Sequence, residues 1–295
     1  MNRKIIRVSI ILNGRQESFT ADGFNKLTST GFAVSCTLNY GNGAITPTAS
    51  ITIYGLPFEK MLKLMRVQWN TMDSLLNIVQ IEVGDSLNNM AIVYRGNITQ
   101  ATIDANNAPD IPLIITSQMA MLEKAKVTEP YTSPKGQSMV IADIVRERAE
   151  LIGYTFENNA VDIVGTDITL EGSELEKIQK LAHSFDFDLY VDDKLICICA
   201  KGVARTVKIP LITPRTGLIG YPVPDIKGVS FSCLYDPLVK FGGVVHIDQS
   251  VITVANGYWR LYGYSAQLES NIPNGKWQID ALATWRDSKD LAIAR

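Results

Sequence analysis

The sequence predicts a mainly β protein with a small αβ element set into its middle, and three observations carry that reading. Residues 1–125 read almost wholly as short strands separated by turn signals. Residues 126–205 carry two helical patterns and a hairpin, and residues 206–295 return to strands and turns.

Arg3 to Leu12 is a β-rich run that ends at Asn13-Gly14, a two-residue hairpin signal. Phe32–Tyr40 alternates apolar and polar residues, and Ala49–Tyr54 alternates again. Gly41–Pro47 between them is a loop by composition. A short helix opens near Pro57, whose fixed φ suits a first helical turn, and carries Met61, Leu62, Leu64 and Met65. Ser74–Val83, Met90–Arg95, Asn97–Asp104 and Ile111–Ser117 complete about seven strands, the pattern of a closed or nearly closed barrel.

The middle begins after the linker-like Pro130–Pro134. Ser138 is placed to cap a helix carrying Ile141, Ile144, Val145 and Ile152, with Gly153 where the helix stops. Ser173-Glu-Leu-Glu176 spells a capping box, followed at helical spacing by Ile178, Leu181, Ala182 and Phe185. The two helices are expected to pack Ile141, Ile144, Val145, Ile178, Leu181 and Phe185 together. Asp192-Asp193-Lys194 reads as the turn between strands Phe187–Val191 and Leu195–Ala200. Residues 126–205 hold 14 acidic against 9 basic side chains, while both flanks are slightly basic, which sets this segment apart. The last third offers strands at Val207–Leu211, Val229–Leu234, Gly243–Ile247, Gly257–Glu269 and Gly275–Thr284, with a Pro/Gly-rich loop over Thr213–Pro224.

With 46% apolar and 20% charged residues in a chain of 295, a sizeable core is expected and disorder is not. No run approaches the roughly 20 apolar residues of a membrane helix, so no membrane insertion is expected. The N-terminus lacks a small-residue cleavage site and reads as a first strand. A net charge of -2 argues against a broad grip on nucleic-acid phosphates. Cys36, Cys197, Cys199 and Cys233 space like neither a zinc site nor a disulfide framework, so the chain is expected to be soluble, reduced and made inside the cell.

Chemistry is thinly represented. His183 closes a helical pattern and His246 alternates within a strand. There is no GxSxG, HExxH, Walker loop or dinucleotide fingerprint. Asp186 and Asp188 on one strand face, with Asp192 and Asp193 nearby, form the one carboxylate group that would suit a hard cation, against the turn reading given above. No enzyme activity, catalytic residue, cofactor or metal is therefore expected. Substituting His183, His246, Asp186 or Asp188 singly is expected to cost only about 1 kcal/mol. Tyr258, Trp259, Tyr262 and Tyr264 offer either a sugar-stacking stripe, as in a β-sandwich carbohydrate-binding module, or large side chains covering a β face.

Several segments together resemble one family. Ala49–Leu56 with its following short helix, Ile81–Asp85 paired with Ile92–Ile98, Ser133–Ser138 leading into a helix, Thr169–Ala182 and the Leu189–Ile198 hairpin are similar, in order and spacing, to baseplate hub proteins of contractile phage tails, the late control protein D-like family. Gly55-Leu56 stands where that family usually carries Asn-Leu, and the C-terminal third matches by length and strand character more than by motif. The resemblance implies two tail-tube-like β-barrel domains, 1–125 and 206–295, around a small αβ insert at 126–205. It implies a homotrimer whose six barrels form a pseudo-hexameric ring around a channel that DNA crosses without specific binding. The implied partners are a trimeric spike on the distal face and tail-tube or tail-initiator subunits on the proximal face, in a virion baseplate assembled in the host cytoplasm. Since no lysozyme-like or spike segment follows before Arg295, such activities are expected on another polypeptide. Another tail structural or adaptor protein is the neighbouring reading; a tube subunit needs only one barrel, which the length here exceeds.

Overall fold

A computed structural model describes residues 4–12, 26–41, 46–65, 75–86 and 89–287. The chain divides into two compact units, neither of them a single run of sequence. The first comprises 1–39, 47–122 and 265–278, and the second 40–46, 123–264 and 279–295.

The first unit is a ladder of antiparallel strands: β1 (Ile5–Ile11), β2 (Lys26–Thr30), β3 (Ala33–Tyr40), β4 (Thr48–Tyr54), β5 (Ile78–Ser86), β6 (Asn89–Ile103) and β7 (Leu113–Gln118). Their order is β3-β4-β7-β6-β5-β1-β2. The alternation read from sequence holds where it matters: Val34, Cys36 and Leu38 on β3 and Ala49, Ile51 and Ile53 on β4 all point into the core. Helix α1 (Phe58–Leu64) follows Pro57 and buries Met61, although Leu62 is exposed.

The two strands expected at Met90–Arg95 and Asn97–Asp104 are one strand. Gly96 does not break it, because the missing Cβ makes room for the Tyr94 hydroxyl, which would lie 2.5 Å from a side chain there. Tyr94 Oη donates to Ser117 Oγ (3.2 Å), and Ser117 Oγ donates to Asn97 O (2.8 Å), so the buried polar atoms are satisfied within the ladder. Asn97 Oδ1 in turn accepts the Met121 amide at 3.1 Å, at the start of α2 (Met121–Ala125).

Residues 265–278 add the turn end of the chain's last hairpin beside β3. Ser35 Oγ donates to Glu269 Oε1 (3.2 Å), and Ser270 Oγ donates to Lys4 O just before β1 (2.9 Å). Among the described residues no strand pairing closes the ladder into a barrel; contacts rather than a ladder bring this hairpin end to β1. The Asn13-Gly14 turn and residues 42–45 of the Gly41–Pro47 loop lie outside the described residues.

The second unit opens with β8 (Val127–Thr132), β9 (Ser138–Val140), α3 (Ile141–Leu151), β10 (Thr155–Asn159), β11 (Val164–Thr166), β12 (Thr169–Ser173), α4 (Glu174–Ser184), β13 (Asp188–Asp192) and β14 (Leu195–Cys199). Strands β10, β14 and β13 form a three-stranded sheet, parallel between β10 and β14 and antiparallel between β14 and β13. Ile141, Ile144 and Val145 of α3 and Ile178 and Leu181 of α4 are buried. Gly165 lies beneath Phe185 and Ile141, where a Cβ would come within 2.7 Å of the Phe185 ring.

The capping box on α4 is formed in both directions, with Ser173 N–H donating to Glu176 Oε2 and Glu176 N–H to Ser173 Oγ. Ser138 does not cap α3 as the sequence suggested. It pairs with Thr166 on β11, and the Ile141 amide at the helix start donates to Ile163 O (2.9 Å) instead. Gly153 ends that helix at φ +73, and its amide donates to Glu150 O.

The unit continues with β15 (Leu211–Ile212), β16 (Leu218–Pro224), β17 (Val229–Leu234), β18 (Val244–Ile247), a 3₁₀ turn at Thr253–Ala255, β19 (Gly257–Ser270) and β20 (Trp277–Trp285). Strand order runs β16-β17-β20-β19, with β18 on β19 and β15 parallel to β18. Two corrections fall here. The strand expected over Val207–Leu211 is reduced to two residues, and the Thr213–Pro224 loop contains β16, a strand with prolines at 222 and 224.

Candidate functional site

The carboxylates singled out in sequence are held by cations rather than grouped for a metal. Asp188 is 5% exposed. Its Oδ1 accepts from Lys201 Nζ at 2.7 Å, and its Oδ2 faces Arg260 Nη1 at 3.4 Å. Arg260, fully buried, also donates to Val203 O (3.0 Å). Asp192 faces Arg205 Nη1 at 3.4 Å, and that group donates to Phe241 O as well. Asp186 is exposed, and Asp193 with Lys194 forms the two-residue turn between β13 and β14, Lys194 taking φ +61. A hard cation would have to displace an ammonium and two guanidinium groups here. Among the described residues no three His, Cys, Asp or Glu side chains converge as ligands.

The thiols are equally inert. All four cysteines are buried and unbridged. Cys197 and Cys199 share a face with sulfurs 3.8 Å apart, and Asn159 Nδ2 donates to Cys197 Sγ (3.3 Å). The hydrogen bond with Cys197 and burial both raise the Cys199 thiol, and burial pushes Cys233 up to about 12, so neither is a thiolate at neutral pH.

His183 is exposed in the last turn of α4, and His246 stacks on Tyr258 with ring centroids 4.3 Å apart. His183→Ala and His246→Ala are each expected to change the unfolding free energy by about 1 kcal/mol or less, read by chemical denaturation.

The aromatic run on β19 splits between faces. Trp259 is buried, donates from Nε1 to Ala255 O (2.8 Å) and meets Trp285 edge-on. Tyr264 stacks on Tyr40 at 4.6 Å. Tyr258 is exposed, and its ring rests on His246. Trp259 lies on the opposite face of β19 from Tyr258, Tyr262 and Tyr264, so the four do not share one stacking platform, and Trp259 and Tyr264 serve packing.

What the surface of this unit does offer is apolar. On β16 Ile219, Tyr221 and Val223 are exposed, and next to that strand the 3₁₀ segment exposes Val254, with Val251 shortly before it, both more than two-thirds open. Clustered exposed apolar side chains are a mark of association rather than of solvation. No sequence pattern announced this surface, because its residues come from a segment that composition assigned to a loop.

The fold has known counterparts. It is similar to a tail protein from Neisseria meningitidis MC58 (TM-score 0.61, 10% identity, covering 95% of this chain and 96% of that one). It is also similar to the 43 kDa tail protein of prophage MuSo2 from Shewanella oneidensis (TM-score 0.60, 8% identity, 97% and 98% covered). A third likeness is to a component of the type VI secretion system of E. coli, itself described as similar to the T4 bacteriophage tail proteins gp27 and gp5 (TM-score 0.55, 10% identity, 85% and 73% covered). No curated protein matches the sequence. The architecture is thus one shared with phage-tail proteins. The baseplate hub gp41 family matches residues 7–274, and the chain belongs to that family.

Proposed function

We propose that this chain is the ring-forming subunit of a tail baseplate hub, three copies closing around a channel that DNA crosses. The observation that carries the reading is family membership over 7–274, in a chain with two strand-rich parts and apolar side chains left exposed on its second unit. A tail tube repeats six times per layer and a spike three times. Two like β regions in each of three chains would meet both symmetries without an added subunit, and a closed ring leaves no free association surface.

On this reading a trimeric spike binds the distal face, and tube or tail-initiator subunits bind the proximal face. The protein then resides in the virion baseplate after assembly in the host cytoplasm. The role is structural: the acidic and thiol groups found above are occupied in holding the fold, and a net charge of -2 suits a channel wall that should not retain DNA. Light scattering of the purified protein, alone and with its spike, should give three times 32.5 kDa per hub. A species that stays monomeric both alone and with the spike would overturn the reading.

A further inference from the structure

We infer that the outer edge of β16 is built to refuse strand addition, so that a second copy of this chain cannot extend the sheet from it. The inference stands on backbone geometry and goes beyond the hub reading. Strand β16 is the outermost of its ladder, and among the described residues no strand pairs with its outer side. Such an edge, bearing exposed Ile219, Tyr221 and Val223, is by default a template for another chain's strand.

Which groups face outward follows from the hairpin. Asp225 N–H donates to Gly228 O (2.9 Å) and Gly228 N–H to Asp225 O (3.3 Å), so 225 and 228 are a hydrogen-bonded pair. The register continues through Pro224 with Val229 and Val223 with Ser230. In an antiparallel ladder such pairs alternate, which turns the backbone of Val223 toward β17 and the nitrogen of Pro224 toward the open side, while Pro222 falls within the register shift that follows. Position 224 would thus offer an amide to an incoming strand, and proline has none to offer.

The rest of the edge is closed by other means. The Leu218 amide, also on the open side, is taken by Thr213 O at 2.9 Å. Between Ile219 and Val223 the register slips at a bulge containing Gly220, whose φ is +67, so the strand twists away from straight pairing. Three separate features thus remove donors or straightness from one edge: the proline at 224, the occupied Leu218 amide and the bulge at Gly220.

The test restores the donor. Pro224→Thr, at an exposed position, and the Pro222→Thr/Pro224→Thr pair are compared with the unmodified protein by sedimentation velocity across a concentration series. Both variants are expected to lose the discrete wild-type species to open-ended larger assemblies as concentration rises. Hydrogen exchange of the 218–228 peptide should show one extra fast-exchanging amide in dilute Pro224→Thr, protected once assemblies form. Sedimentation unchanged from wild type would overturn the inference, and so would a new amide already protected in dilute protein, since it would then face β17. Should the pair fail to fold because the Pro222 ring is buried, the single variant decides.

Discussion

Asp188→Ala is expected to lower the unfolding free energy by roughly 3–5 kcal/mol, the cost of leaving buried charge unpaired. The sequence alone suggested about 1 kcal/mol for this position. The difference comes from its partners. Asp188 is enclosed with Lys201 at 2.7 Å and with Arg260, whose side chain is wholly excluded from water. Removing the carboxylate leaves Arg260 buried without its charge partner, and it cannot reach solvent without repacking β19, whereas Lys201 keeps the exposed Asp186 at 3.5 Å. A thermal melt should shift down by about 10 °C. The pairwise origin is checked by Asp188→Leu combined with Arg260→Met, which removes charge of both signs. That double variant should recover part of the loss, because apolar replacement of a buried pair is often close to neutral. A loss as large in the double variant as in Asp188→Ala would locate the effect in packing rather than charge.

The same residue shows where sequence reading stops. The short-range signals at the αβ element were legible: the Ser173–Glu176 capping box, the Gly153 stop and the Asp193-Lys194 turn are each decided within a few residues and each formed. Strand alternation on β3 and β4 was legible for the same reason. Asp188 was not, since its partners stand 13 and 72 residues away and nothing local distinguishes a paired aspartate from a free one. Strand β16 was missed because Pro222 and Pro224 argue against a strand; one is tolerated where its missing amide faces outward and the other where the register shifts, both facts set by the ladder. Strand β6 was split because Gly96 reads as a break, whereas the Tyr94 hydroxyl needs the space. Ser138 has the composition of a helix cap, but pairing with β11 wins its backbone.

Acid sensitivity of the αβ element should trace to Glu174. Its carboxylate is nearly buried at the start of α4, accepting from Lys177 Nζ (2.8 Å) and Thr128 Oγ1 (2.6 Å), with Arg148 at 3.5 Å. Burial alone would raise its pKa, yet the hydrogen bonds from Lys177 and Thr128 and the two positive charges outweigh it, and the group lies below the ordinary carboxylate value. A folded-state pKa below the unfolded one means the unfolded chain binds the proton more readily. Stability from this site is therefore complete above the unfolded glutamate value of about 4.3 and is lost as pH falls from there through the folded value. Lys177 is 0% exposed and also donates to Glu129 O (2.5 Å), so it ties α4 to β8. Lys177→Met should cost roughly 3 kcal/mol at pH 7, since it strands Glu174 with weaker partners. Because it removes the largest stabiliser of the ionised form, it should also reduce the stability lost between pH 5 and pH 3. Glu174→Gln should flatten that acid limb further while leaving Lys177 short of its charge partner at neutral pH. Urea unfolding of the three proteins at pH 7, 5 and 3 separates these effects. Identical acid limbs in all three would show that Glu174 is not the group being titrated.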